Sequence, residues 1–516
     1  MPTFLRAIDA DPSSFPIVAV VDSGVASNIP PLETWIYGRE HFVAQPEENT
    51  YHGTFVAGLL VWGHLLNTEA SEIGEHPCRV LDIHVLPNYD PTQGAVGTIT
   101  EAELLQDLER ALIKYSNEVK VWNLSLGSDE ICRLDKFSDF AIELDNLQEQ
   151  FGVTFVIAAG NYDDVPLLSY PRTGKQLNSG RITSPADSVL GITVASISPL
   201  DHPSDGGLRG EPSGFSRHGP GPSYIIKPDV AHFGGAIAKN AKHPLGMTSV
   251  DNVSGIVEDV GTSFAAPLVS RQLAYVHHRI TPSPSATLAR AILTHNARDI
   301  RTGGRVKDHD DNYLGFGTPL DIDRALECNP WMMTLVFEEV LRPGYFLEWD
   351  NFPYPDSLME NGRFRGEIWM TLAYPPSRNP NWGSEYCETH VDAHFGVYRD
   401  KNGREVFSGQ VPPEHPNRGQ LYETFQVQNL RKWAPVRTYH CEFRKGIRGK
   451  RWRLAVELLC RHKLETKAPT AQHFALLLSI ADPKKEAPVY DEMSQSLRSR
   501  FQTQNMMLRP TVRVQT

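Results

Sequence analysis

No stretch of eighteen or more apolar residues occurs in this 516-residue chain, so the sequence offers no helix of bilayer-spanning length. Cysteine is scarce. The six residues, Cys78, Cys132, Cys328, Cys387, Cys441 and Cys460, are scattered and form no CxxC pair. That spacing argues against a disulfide framework and predicts free thiols. A basic surplus is also absent, since formal net charge is -12, which argues against a nucleic-acid partner. The one local basic cluster, Arg444, Lys445, Arg448, Lys450, Arg451 and Arg453, reads as a solvated face. The opening MPTFLRAIDADPSSFP lacks the charged start, apolar core and small-residue cleavage site of a signal peptide, which predicts a cytoplasmic address with no membrane partner. There is no internal repeat and no low-complexity tract. What remains is ordinary globular composition, 40% hydrophobic and 22% charged, long enough for more than one domain.

Short apolar runs alternate with helical patterns from Phe15 to about Leu326. PIVAVVDSG (16–24), CRVLDIHVLP (78–87), VKVWNLSLG (119–127), VTFVIAAGN (153–161) and GITVASIS (191–198) read as buried strands. HGTFVAGLLVWGHLL (52–66), ITEAELLQDLERALIKYS (99–116), FAIELDNLQEQFG (140–152) and the stretch from Phe264 to Tyr275 read as helices. Thr100 and Glu103 have capping-box spacing. Such alternation predicts an α/β fold, a doubly wound and mostly parallel sheet. After Leu326 the texture changes to strand-like runs between turn-rich stretches: TLVFEEV, GYFLEWDNF, GEIWMTLAY, VDAHFGVY, QLYETFQ, WRLAVELLC and HFALLLSIAD. These predict an all-β sandwich or jelly roll, with no helix of convincing length before YDEMSQSLRSR. The expected domains are 1–326 and 327–516.

Chemistry concentrates at a few turns. GTSFAAP (261–267) places Ser263 at a helix start. Capping alone would explain a serine there. A nucleophilic serine would need a base, and the base an acid to orient it. Asp22 ends a buried strand in VVDSG, and His52 opens a helix in HGTFVAG. Asn161 ends AAGN, where its amide could donate to an oxygen gaining charge. The Ser263 N–H, at a helix start, could supply a second donor.

The chain order Asp, His, Asn, Ser is that of subtilisin. With VVDSG, HGTFVAG, NLSLG (123–127), AAGN and GTSFAAP in that order over roughly the first 320 residues, the chain resembles the subtilases, the subtilisin-like serine endopeptidases. The resemblance implies a cofactor-independent enzyme acting on a protein or peptide. Ser263 would be its nucleophile, His52 its general base and Asp22 the orienting acid. Asn161 and the Ser263 N–H would form its oxyanion hole. It further implies that Ser125, Leu126 and Gly127 pair with an extended substrate. A specificity pocket would lie between these, Ala158, Ala159, Gly160 and a wall near Thr183 to Ala186. None of those stretches carries a charge, which predicts uncharged, apolar preference. Secreted subtilases carry a long propeptide, for which Asp22 lies too near Met1 here, so the resemblance implies either that it was removed or that the enzyme folds without one, as intracellular relatives can. The β-rich tail resembles that of bacterial subtilases often encoded beside ATPases of the AAA class, implying such a partner and regulation by it.

Other residues have plainer readings. CETHVDAH (387–394) puts His390, Asp392 and His394 on one strand face, and two histidines with a carboxylate can bind zinc. No further ligand is placed by spacing, so a polar strand face is expected, and no metal site is assigned. DHDDN (308–312) lacks the spacing of a calcium loop and reads as a solvated turn, leaving structural calcium unassigned. The glycosylation pattern at Asn123 falls in an expected core strand. His41, His64 and His84 read as ordinary structural or surface histidines.

Overall fold

Consecutive β-branched and leucine-rich runs bury both faces of their strands, and here they build a parallel sheet. The computed structural model describes residues 10–201, 207–237, 245–413, 422–461, 471–501 and 513–514. Contacts divide them into two compact units: one holds the chain up to 286 together with 296–322, the other holds 287–295 and the chain from 323 onwards.

In the first unit seven strands are β1 (Ile17–Asp22), β2 (Ile36–His41), β3 (Arg79–His84), β4 (Val121–Leu124), β5 (Thr154–Ala158), β6 (Ile192–Ile197) and β7 (Val230–Phe233). They lie in the order β2-β3-β1-β4-β5-β6-β7 and every pairing is parallel. β2 and β7 are additions to the strands expected from sequence. β2 carries Arg39, Glu40 and His41 and is half-exposed along most of its length, so it lacks the apolar run that marks its neighbours. Helices α1 (Tyr51–Leu66), α2 (Glu101–Tyr115), α3 (Asp139–Phe151) and α4 (Thr262–Arg279) flank the sheet. The Thr100–Glu103 capping box forms at the start of α2, and Gly152 ends α3 in the left-handed conformation, φ 61°. α4 is buried from Phe264 to Val276. A hairpin of β8 (Met247–Val250) and β9 (Ile256–Asp259) precedes it. The chain runs from β1 towards β3 and β2 on one side and from β4 outwards on the other. The β1/β4 carboxyl ends therefore form the switch point where such sheets place their ligands.

In the second unit two four-stranded antiparallel sheets form. One joins Met332–Leu341, Gln472–Ala481, Glu367–Ala373 and Val436–Glu442; the other joins Phe346–Phe352, Trp452–Cys460, Thr389–Lys401 and Arg404–Val411. Ile368, Met370, Leu476 and Leu478 of the first meet Val391, Phe395, Leu454 and Val456 of the second in one core, which makes a sandwich. His295 belongs to this unit and bonds Thr371 Oγ1 at 2.9 Å and Ser479 Oγ at 2.8 Å. Residues 287–295 therefore pack with the sandwich, although the sequence pattern runs on without a break to 326. One strand expectation is corrected. QLYETFQ is not a strand where it is described: Glu423–Leu430 is a helix, while Gln420 and Leu421 lie outside the described residues. Its alternation of large and polar residues suited either period over so short a run. The six cysteines are free, and among the described residues no helix is long and apolar enough to cross a membrane.

Candidate active site

Strand β1 delivers Asp22 to the carboxyl edge of the sheet with no solvent exposure. Its Oδ1 accepts from Ser23 N–H at 2.7 Å and lies 2.8 Å from His52 Nδ1. A carboxylate only accepts, so Nδ1 carries the proton and Nε2 is left as the acceptor. Asp22 Oδ2 is buried without a hydrogen-bond partner among the described residues. His52 stands in the first turn of α1, its side chain 35% exposed. Residue 53 has to be glycine, since a Cβ there would stand 2.3 Å from the Gly24 carbonyl oxygen. This close approach of the β1 turn to α1 brings acid and imidazole together. Burial opposes charging of His52. The Asp22 carboxylate, by its charge and its hydrogen bond, and Asp259 by its charge outweigh that and hold the imidazole above its ordinary pKa.

Ser263 is the second residue of α4 and is half-buried. Pro267 sits four residues on and has no N–H to give the Ser263 carbonyl. That carbonyl instead accepts from Ser125 Oγ at 2.7 Å, and Ser125 Oγ accepts from Asn123 Nδ2 at 2.9 Å. The proline in GTSFAAP thereby ties the serine-bearing turn to the end of β4. Ser263 Oγ donates to Ser125 O at 3.4 Å. Among the described residues it makes no hydrogen bond with His52, although the His52 ring stands 5.6 Å from that of Phe264. Catalytic hydrogen bonds are commonly long or misaligned without substrate.

Asn161 lies three residues beyond β5. Its Oδ1 accepts from the Thr262 N–H and hydroxyl, both at 3.0 Å. The backbone N–H can only donate, so the accepting atom is the oxygen, and the amide NH2 has no acceptor among the described residues. The Ser263 N–H, in the first turn of α4, also lacks a partner among the described residues.

Leu126 and Gly127 are half-buried and exposed, and their backbone groups make no hydrogen bond among the described residues. Ala158 and Ala159 are buried, and Gly160 (φ 96°) faces Thr183, whose Oγ1 would stand 2.5 Å from a Cβ at 160. The wall at 183–186 is fixed by an exchange between Ser128 N–H and Ser184 O at 2.8 Å and Ser184 N–H and Glu130 O at 2.9 Å.

The structure brings in residues that the motifs do not announce. Thr262 orients Asn161. Asp259 adds its charge at His52. Arg217 lies against Gly160, its Cδ 3.0 Å from where a Cβ would be. Its donors go to the carbonyls of Asn161 at 2.8 Å and of Ser179 and Arg181 at 3.0 Å. The uncharged stretches thus have a guanidinium beside them, supplied by a segment more than fifty residues away in sequence. Thr262 alone had a local signal, as the neighbour of Ser263.

The remaining candidates fall elsewhere. Asn123 is fully buried, with Oδ1 accepting from Ser270 Oγ, so its glycosylation pattern is a coincidence of core packing. In DHDDN, Asp310 is held by Arg301 and Tyr170. His390 accepts from the Trp433 N–H at 3.1 Å. Asp392 comes near His394 and Glu457, but Arg437 already neutralises it at 3.1 Å. Arg444, Lys450, Arg451 and Arg453 pair with acids of their own unit.

The model of the subtilase family matches residues 14–317. The uncharacterized protein y4bN of Sinorhizobium fredii (strain NBRC 101917 / NGR234) is 27% identical over 433 residues, covering 74% of this chain and 96% of that protein. Among solved structures, a cold adapted subtilisin-like serine proteinase is 20% identical, with 61% of this chain and 90% of that one covered and a TM-score of 0.37. The protease domain of PatA, solved as a point mutant, is 18% identical, with 62% and 96% covered and a TM-score of 0.41. With a family model spanning more than half its length and the order of motifs that family carries, the chain belongs to the subtilases, a family of serine peptidases.

Proposed function

We propose that this subtilase is an endopeptidase, in which Ser263 attacks the carbonyl of an extended polypeptide and forms an acyl-enzyme. His52 Nε2 takes the serine proton and returns it to the leaving amine. Asp22 keeps the proton on Nδ1 and stabilises the imidazolium. The Asn161 amide and the Ser263 N–H receive the oxyanion. The open backbone of Leu126 and Gly127 takes the substrate as an added strand, and Ala158, Ala159 and Gly160 line the pocket for its side chain. Ala158, Ala159 and Gly160 carry no charge themselves, so we assign the pocket an uncharged residue. No cofactor enters these steps. The observation that carries the reading is the Asp22–His52 bond at 2.8 Å at the sheet edge from which Ser125 ties down the Ser263 turn. Six free thiols fit a reducing compartment, so we place the enzyme in the cytoplasm.

A fluorophosphonate label tests this. It should attach at Ser263 in the parent and fail in His52→Ala. Equal labelling of both would sink the base assignment, and none under any condition would leave a peptide-binding scaffold. One observation favours a latent form of the same enzyme: the Ser263 hydroxyl is turned to Ser125 O. On that reading labelling is slow alone and accelerates with a protein activator, for which an AAA-class ATPase is our candidate.

A further inference from the structure

Three strand ends form a row beside the candidate active site. His84, the last residue of β3, is in register with Asp22 of β1 on one side and with His41 of β2 on the other. The His41 and His84 rings meet edge-on, 5.5 Å between centroids. Glu48 arrives from the segment between β2 and α1. That segment is pinned by the Asn88 N–H to Glu47 O at 2.8 Å and by Asn49 Nδ2 to Asn88 Oδ1 at 3.1 Å. One ligand atom from each of His41, Glu48 and His84 lies within 4.8 Å of the other two.

A second observation concerns His84 alone. The residue has no solvent exposure, and among the described residues its ring meets no side-chain hydrogen-bond partner, only the backbone of Leu86. Buried polar atoms are nearly always satisfied, and leaving one unmade costs stability. A buried ring without a side-chain partner, with one nitrogen within reach of a second imidazole and a carboxylate, is placed to take a ligand there.

We propose that His41, Glu48 and His84 bind a divalent first-row transition metal ion of the zinc type. Two imidazoles and a carboxylate form a ligand set that zinc accepts, with a remaining position for water. The ion enters from the side of exposed His41. The site joins β2, the half-exposed strand at one end of the sheet, to β3 and to the segment leading into α1. An ion held only by the folded chain stabilises it by mass action.

The test does not depend on the peptidase reading. Chelator-treated full-length protein is titrated with Zn2+ by calorimetry, and its melting temperature is followed as Zn2+ is added. His41→Gln and Glu48→Gln are compared with it, because His84 variants risk misfolding. The parent should take up one more tightly bound Zn2+ than either variant. Each variant should bind at this site at least about tenfold more weakly, as loss of ligand-shell groups generally causes. Zn2+ should raise the melting temperature of the parent more than that of either variant. Equal stoichiometry, affinity and thermal shift in all three proteins, or no Zn2+ binding by the parent, would overturn the proposal.

Discussion

Two buried aspartates, one in each unit, stand beside histidines and look alike in sequence. Asp22 meets His52 at 2.8 Å, and Asp392 meets His394 Nε2 at 3.3 Å. They differ in what else touches the acid. Among the described residues no cation other than His52 pairs with Asp22, and one of its oxygens has no hydrogen bond. Asp392 also faces Arg437, buried like itself, at 3.1 Å. Burial would raise the Asp392 pKa, but Arg437 first and His394 after it hold it well below the ordinary carboxylate range. A guanidinium that cannot give up its proton has taken the charge. The Asp22 charge is left for an imidazole, which is the condition for raising the basicity of a general base. An Asp–His pair is therefore read by the third group, not by the first two.

That contrast can be broken at four points. The largest effect is expected at Ser263→Ala or His52→Ala, which should lower kcat on a fluorogenic peptide by on the order of a million-fold, as in subtilisin itself. Parent-like turnover by either variant would remove the assignment. Next, Arg437→Met leaves Asp392 buried and uncompensated, and should cost about 3–5 kcal/mol in urea unfolding. An unchanged unfolding midpoint would show that Arg437 does not carry the Asp392 charge. The pair's sign is that of a depressed carboxylate: its stabilisation is present at neutral pH and is lost only as pH falls through the low folded pKa. Asn161→Ala comes third, with kcat down roughly a hundred- to a thousand-fold and KM little changed. A KM effect alone would place the amide on the ground state instead. The smallest effect belongs to Asp259→Asn. Removing its charge lowers the His52 pKa, so the acidic limb of the kcat/KM profile should move to lower pH. A limb that stays in place or moves up would show that Asp259 does not act on His52.

The strands β1, β3, β4, β5 and β6 were legible because each is an apolar run buried on both faces. The edge strand β2 was not, because its polar residues give it neither the apolar run nor a strict alternation. Asp22, His52, Asn161 and Ser263 stood out because each sits at a turn whose neighbours are constrained: Gly53 against Gly24, Pro267 four residues after Ser263. Asp259 and Arg217 carried no such mark. Each acts through a field or a brace across the fold, and neither depends on adjacent residues. The helix Glu423–Leu430 was misread because seven residues of mixed polarity do not separate a period of about 2 from one of about 3.6.

What the sequence alone determined is therefore local and ordered: which runs are strands, where turns expose a polar side chain, and the succession of motifs that marks the family. Tertiary structure decided which of those side chains meet. Parallel pairing set Asp22, His84 and His41 in one row from three separate strands. It left the Ser263 hydroxyl on Ser125 O and not on His52, and gave one aspartate an arginine and the other none. The physical reason is that periodicity and turn chemistry act between neighbours along the chain, whereas charge, ligation and close packing act across space. Their partners are chosen only when the register of the sheet brings distant residues within a few ångströms.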